Sequence, residues 1–112
     1  MKLYTSSFHK NMGHPHAVSI ARYPPRTFFG TCLPCLAPAQ ALLTAYRDGR
    51  ADKRTYTKRF ARQLSRLRFP EVIDRLRDGD VLLCYEVPGQ FCHRHLVADW
   101  LREHGIRVEE LP

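Results

Sequence analysis

Cys92, His93, Arg94 and His95 stand in a row soon after the apolar run Val81-Leu82-Leu83-Cys84-Tyr85. The stretch from Leu82 to Leu96 reads as a buried strand, a turn and the first turn of a helix. A helix N-terminus carries partial positive charge, so three cationic or potentially cationic side chains there oppose the local field. An anion relieves the conflict: a phosphate, a carboxylate, or the thiolate of Cys92 itself. Cys92 therefore has the setting of a nucleophile or a metal ligand, although a free cysteine also packs readily in a core. His93 is placed to be its acid/base partner, or to be an edge-of-core histidine satisfied by a backbone carbonyl. Arg94 suits bidentate contact with a phosphate or carboxylate, and Glu86 across the turn is its candidate partner or the group that orients it. His95 and Asp99 share another helix face and are expected to pair at the surface.

The elements that must position these residues follow from pattern. Val81 to Tyr85 is the strongest strand. A helix from about His93 to His104 follows, with Leu96, Val97, Trp100 and Leu101 as its buried stripe, and Gly105 stops it. Ile106 to Glu109 alternates as an edge strand. This β-α-β order implies parallel strands joined by a right-handed crossover. Earlier, Leu3-Tyr4-Thr5 and Ala17 to Ala21 read as short strands, the second ended by Pro24-Pro25. Thr27 to Ala37 reads as a loop. Pro38 opens a helix with Leu42, Leu43 and Tyr46 on its apolar side. Asp52 is the N-cap of the next helix, in which Tyr56, Phe60, Leu64 and Leu67 mark one face. Pro70 starts a short helix with Val72, Ile73 and Leu76 turned inward.

The predicted fold is a small three-layer, Rossmann-like α/β domain spanning residues 1–112, with a short, mostly parallel sheet of about four strands. Ligands of such sheets bind beyond the carboxyl ends of the strands. Applied here, the rule gathers Thr5 and Ser6, Arg22 and Tyr23, and Glu86 to Arg94. Candidate catalytic residues are thus Cys92, His93 and Glu86; candidate anion-binding residues are Arg94, Arg22, Thr5, Ser6 and Tyr23.

Charge bears on the partner. The chain of 112 residues has a net charge of +7, and the whole excess lies in residues 47–68, which hold nine of the 18 Lys and Arg and only Asp48 and Asp52 as acids. Such a concentration suits either a polyanion footprint or a well-solvated helix face. No apolar run has membrane-spanning length and the first residues lack a signal-peptide core, so a cytoplasmic protein without a membrane partner is expected. Four unevenly spaced cysteines suit reduced thiols or a metal site better than a disulfide frame. Cys32-x-x-Cys35 lacks a second pair; two loop cysteines are the plainer reading, and no cofactor is expected beyond the zinc that Cys32 and Cys35 would hold. His9, His14 and His16 lie in a polar loop broken by Gly13 and Pro15. No phosphate-loop lysine motif, Gly-x-Gly-x-x-Gly turn or phosphatase-type cysteine-arginine loop is present, which disfavours nucleotide triphosphatases, dinucleotide enzymes and such phosphatases.

Two stretches together resemble the domain of unknown function 488 family. They are Tyr4-Thr5-Ser6 with Ser19-Ile20-Ala21-Arg22-Tyr23-Pro24-Pro25, and Leu82-Leu83-Cys84-Tyr85-Glu86 with Phe91-Cys92-His93-Arg94-His95-Leu96-Val97-Ala98. The Cys-His-Arg step after a Leu-Cys-Tyr-Glu strand is the specific part. Leu36-Ala37-Pro38 and the Tyr56–Phe60 helix extend the resemblance over most of the chain, as in small single-domain members. It implies a compact α/β fold, with Arg22, Glu86, Cys92, His93 and Arg94 at motif positions; Cys32 and Cys35 lie outside the pattern. The expected function is a pocket for a phosphate-bearing ligand, nucleotide or nucleic acid, with Cys/His-dependent chemistry. A non-catalytic nucleotide- or nucleic-acid-binding module and a small zinc-binding adaptor are the alternatives.

Overall fold

The computed structural model describes residues 1–85 and 92–112. In chain order its elements are strand β1 (Lys2–Ser7), helix α1 (Phe8–Asn11), β2 (Ala17–Ser19), β3 (Thr31–Cys32), a 3-10 turn (Pro34–Leu36), α2 (Gln40–Arg47), α3 (Lys53–Ser65), α4 (Phe69–Ile73), β4 (Val81–Cys84), α5 (His93–Glu103) and β5 (Arg107–Glu110). The strands form one five-stranded sheet in the order β3-β2-β4-β1-β5. All four pairings are parallel, with Thr5 of β1 in register with Leu82 of β4 on one side and Glu110 of β5 on the other.

The period-2 alternation of the strands splits the core in two. Leu3, Val18, Ile20, Leu82 and Cys84 face α2, α3 and α5 together with Tyr56, Phe60, Leu64, Val97 and Leu101. Ala17, Val81 and Leu83 face the other way, against Phe8 of α1 and Phe28 of the loop after β2. One face is thus roofed by long helices; the other is closed by a single helical turn and a loop. Among the described residues no helix is long and apolar enough to cross a membrane.

Helix α3 forms where its pattern says. The Asp52 side chain accepts the Thr55 amide at 2.7 Å and caps it, which also holds the Asp52 carboxyl below its ordinary value. Tyr56, Phe60 and Leu64, four residues apart, are buried. Lys53, Arg54, Lys58, Arg59 and Arg62 project into solvent.

The structure departs from the sequence reading at several points; β1 runs on to Ser7 and β4 stops at Cys84. The predicted loop Thr27–Ala37 contains a two-residue strand, so the sheet has five strands rather than about four. Two residues paired to an edge are too few to show an alternating pattern. Pro38 does not open α2: Ala39 is its N-cap, because the Gln63 side chain accepts the Ala39 amide and donates to the Ala37 carbonyl, fixing the chain before the helix. β2 ends at Ser19 rather than Ala21, where the Ser19 hydroxyl accepts the Ala21 amide and turns the chain out of the sheet.

Phe60 is fully buried at the centre of the larger core. Phe60→Ala is expected to cost about 3–5 kcal/mol, and Phe60→Leu less than half of that. Urea denaturation with an unchanged slope checks this; a loss below about 1 kcal/mol for the alanine variant would contradict Phe60's central role.

Candidate functional site

The connections leaving β2 and β4 diverge, β2 leading towards β3 at one edge and β4 through α5 towards β5 at the other. In parallel α/β sheets such a divergence opens a crevice at the carboxyl ends of the strands. A cleft of about 310 Å³ lies there, lined by Arg22, Tyr23, Tyr85, Cys92 and His93 together with Tyr46, Arg47 and Tyr56 from the helical layer.

Three consecutive residues at the start of α5 point three ways. Cys92 is the N-cap in extended conformation, and no side chain caps the helix through it. Its sulfur is joined to that of Cys84, at the end of β4, in a disulfide. This corrects the expectation of reduced thiols for Cys84 and Cys92, while Cys32 and Cys35 are free: the start of α5 lies beside the end of β4, a contact that spacing does not reveal.

His93 is buried, and its Nε2–H donates to the Ile20 carbonyl at 2.7 Å. A carbonyl only accepts, so Nε2 carries the proton and Nδ1 of the neutral ring is an acceptor. Nδ1 faces the Cys92 sulfur at 3.8 Å. Burial pushes the His93 pKa down to about 4, aided by the charges of Arg94 and His95 and opposed by the Ile20 bond. The imidazole is therefore neutral at pH 7.

Arg94 is fully buried and is the largest side chain to be so. Its Nη2 and Nε donate to the Glu110 carboxylate at 2.8 and 3.1 Å, and its Nη1 donates to the Cys84 sulfur at 3.0 Å. Thr5 donates to the same carboxylate at 2.6 Å. Burial alone would raise the Glu110 carboxyl, but the bonds from Arg94 and Thr5 and the guanidinium charge outweigh it and hold the group below its ordinary value. Glu110 is the site residue that sequence reasoning missed. The available signal was the field at the helix start, which demanded an anion; the parallel register of Thr5 with Glu110 supplies it.

The remaining predicted residues separate. Thr5 faces α5 through the Glu110 network, whereas Ser6 faces α1 and accepts from Asn11 at 2.6 Å; neighbours in a strand point to opposite faces, so the two hydroxyls do not converge. Arg22 lines the cleft with its Nε anchored to the Pro38 carbonyl at 2.7 Å. Tyr23 bonds Gln40 at 2.7 Å, and the Tyr85 hydroxyl donates to the Tyr23 carbonyl. Glu86 lies outside the described residues. His95 does not pair with Asp99, which instead takes Arg102 at 3.0 Å, because that guanidinium is already held in reach by the Val108 carbonyl. Cys32 is exposed on β3 and Cys35 half-buried in the 3-10 turn. Among the described residues they form no cluster of three metal-ligating groups; Cys84, Cys92 and His93 do, with ligand atoms within 4.8 Å of one another. Arg47, Tyr46, Tyr56 and Tyr85 of the cleft were not singled out as site residues by sequence, since apolar helix faces account for Tyr46 and Tyr56 and Arg47 counts only within the basic segment 47–68.

The fold and site define a parallel α/β domain whose Cys-His-Arg helix start meets the carboxyl edge of the sheet. Residues 6–105 match the model of the DUF488-N3a family, described as the active DUF488-N3 subclade, and the chain belongs to this family. No curated protein and no solved structure matches the chain.

Two predictions arise here. Glu110→Gln leaves a buried guanidinium without its carboxylate; because Glu110 is partly exposed, the expected loss at pH 7 is about 2 kcal/mol, below the usual value for a fully buried pair. Equal stability of variant and parent in urea would dismiss the pair as a structural tie. His93 sets a pH dependence. Its pKa is lowered from 6.5 unfolded to about 4 folded. Between those values the unfolded chain binds a proton that the folded chain refuses, so stability falls as pH drops from 6.5 towards 4, by on the order of 3 kcal/mol in total. His93→Asn should flatten urea midpoints over that window; an equally steep fall in the variant would assign the loss to other groups.

Proposed function

We propose that the protein binds a phosphate-bearing ligand, a nucleotide or a segment of nucleic acid, in the cleft between β2 and β4, and acts on it through Cys92 and His93. The observation that carries this reading is the convergence of two arginines and four tyrosines on the cleft that Cys92 and His93 also line. Guanidinium groups recognise phosphate, and aromatic faces stack on bases without demanding a particular sequence. Arg22 is held in place by the Pro38 carbonyl, and among the described residues it has no carboxylate partner. Helix α3, which contributes Tyr56 to the cleft, also exposes Lys53, Arg54, Lys58, Arg59 and Arg62 to solvent, a source of long-range attraction for a polyanion.

Within this reading Cys92, once reduced, is the nucleophile. Burial lowers the His93 pKa to about 4, so its imidazole is neutral at pH 7 and its Nδ1 is free to accept a proton. His93 Nδ1 orients the thiol and takes its proton as the sulfur attacks. Arg94, Thr5 and Glu110 act behind the site by fixing the helix start, and Arg22, Arg47 and Tyr23 hold the ligand. The second reading, a non-catalytic binding or sensing module, draws on the burial of Cys92 and His93, 3% and 8% exposed. It keeps the same ligand contacts.

The test is fluorescence anisotropy with a labelled single-stranded oligonucleotide, competed with mononucleotide. Affinity should fall at least tenfold between 50 and 200 mM salt, roughly as for a few phosphate contacts. Arg22→Ala should weaken binding about tenfold with a shallower salt slope. Cys92→Ser should bind normally and abolish any turnover. Salt-independent binding, or none, would refute the phosphate reading; turnover that survives Cys92→Ser would leave only the binding module.

A further inference from the structure

We infer that Cys84 and Cys92 are a redox couple: an oxidation site for hydroperoxides in which Cys92 reacts first and Cys84 resolves it. The inference rests on the proposed function only in taking Cys92 as the residue that meets the cleft. Four placements support it. The two sulfurs are joined across different elements, one at the end of β4 and one at the N-cap of α5. Cys92 lines the cleft, while Cys84 is fully buried and absent from its lining, so a small oxidant entering the cleft reaches Cys92 first. His93 Nδ1 stands 3.8 Å from the Cys92 sulfur as an acceptor for its proton. The Arg94 guanidinium donates to the Cys84 sulfur at 3.0 Å, and a cationic donor there stabilises the thiolate that resolution requires. The other two cysteines, Cys32 and Cys35, are free thiols.

The chemistry balances in three steps. His93 Nδ1 takes the Cys92 thiol proton as the sulfur attacks the terminal oxygen of the hydroperoxide, and passes it on to the leaving oxygen. An S–O bond forms, the O–O bond breaks, and the released alkoxide takes a proton and departs as alcohol or water; Cys92 is oxidised by two electrons to the sulfenic acid. The Cys84 thiolate then attacks the Cys92 sulfur, forming the disulfide and expelling hydroxide, which is protonated to water. An external dithiol restores the couple: one thiolate attacks the Cys92 sulfur and releases Cys84, and its second thiol closes the reagent's own disulfide and releases Cys92. Oxidation thereby removes the nucleophile from the cleft, and reduction returns it.

The experiment uses the full chain carrying Cys32→Ser and Cys35→Ser, reduced with dithiothreitol, desalted, and treated with one equivalent of hydrogen peroxide. Intact mass and peptide mapping should show the loss of two hydrogens in a Cys84–Cys92 peptide pair, fully reversed by dithiothreitol. Adding Cys84→Ser should instead leave Cys92 as a sulfenic acid that dimedone traps, passing to the sulfinic acid with excess peroxide. Cys84→Ala should do the same if serine disturbs the core. Adding Cys92→Ser should leave Cys84 unoxidised. Direct passage of Cys92 to the sulfinic acid with Cys84 present overturns the inference, and so does a pair of thiols inert to peroxide. One zinc ion per chain held by the reduced protein and lost in Cys84→Ser overturns it too, since Cys84, Cys92 and His93 would then be ligands. Oligonucleotide binding measured on both redox forms separates the two ideas. No binding in either form, with the disulfide still cycling, condemns the cleft reading and leaves the couple standing.

Discussion

The ion pair between Arg94 and Glu110 is the constraint on which the rest of the site depends. A guanidinium with no exposed surface is costly unless its charge and its donors are met. Glu110 meets the charge from β5, Cys84 takes a donor at the end of β4, and Thr5 of β1 completes the carboxylate's contacts. One side chain on α5 is thereby tied to three adjacent strands at their carboxyl ends. The helix can start in one place only, and that place sets where Cys92 and His93 stand.

The same tie resolves the electrostatic conflict at the helix start. Partial positive charge, Arg94 and two histidines would repel one another in a naked helix. Glu110 supplies the negative charge beneath them, and burial keeps His93 neutral at pH 7. The cation that ties the fold together and the cations that line the cleft are therefore different residues. Arg94 is spent inside the fold, whereas Arg22 and Arg47 line the cleft from outside it.

Much of the fold was legible because its signals are local. Asp52 as a cap, Tyr56, Phe60 and Leu64 as one helix face, and Gly105 with a positive φ of 86° after α5 each announce themselves within a few residues. The place of the cleft was legible too, since the rule about strand ends needs only the order of the elements. What stayed hidden depends on register between distant strands. Glu110 lies 16 residues beyond Arg94 and looks like an edge-strand surface acid until Thr5 is placed beside it. The pairing of Cys84 with Cys92 stayed hidden for another reason: it depends on how the connection from β4 returns the chain to the start of α5. The separation of Thr5 from Ser6 could have been read from strand alternation, had the first strand been taken to extend through Ser7.

The Cys-His-Arg step can now be understood as a division of labour imposed by helix geometry. Successive residues at a helix start turn by about 100° each, so adjacent side chains cannot share one task. Arg94 turns into the sheet and holds the helix by Glu110. His93 turns towards β2, where the Ile20 carbonyl fixes which nitrogen carries the proton. Cys92, still outside the helix, keeps its sulfur between the cleft and Cys84. Arg94 reaches both ends of this arrangement, since the guanidinium that anchors the helix also donates to the Cys84 sulfur. The group that secures the fold is thus in direct contact with the Cys84–Cys92 disulfide, and a change at Glu110 should be felt at Cys84 without touching the cleft.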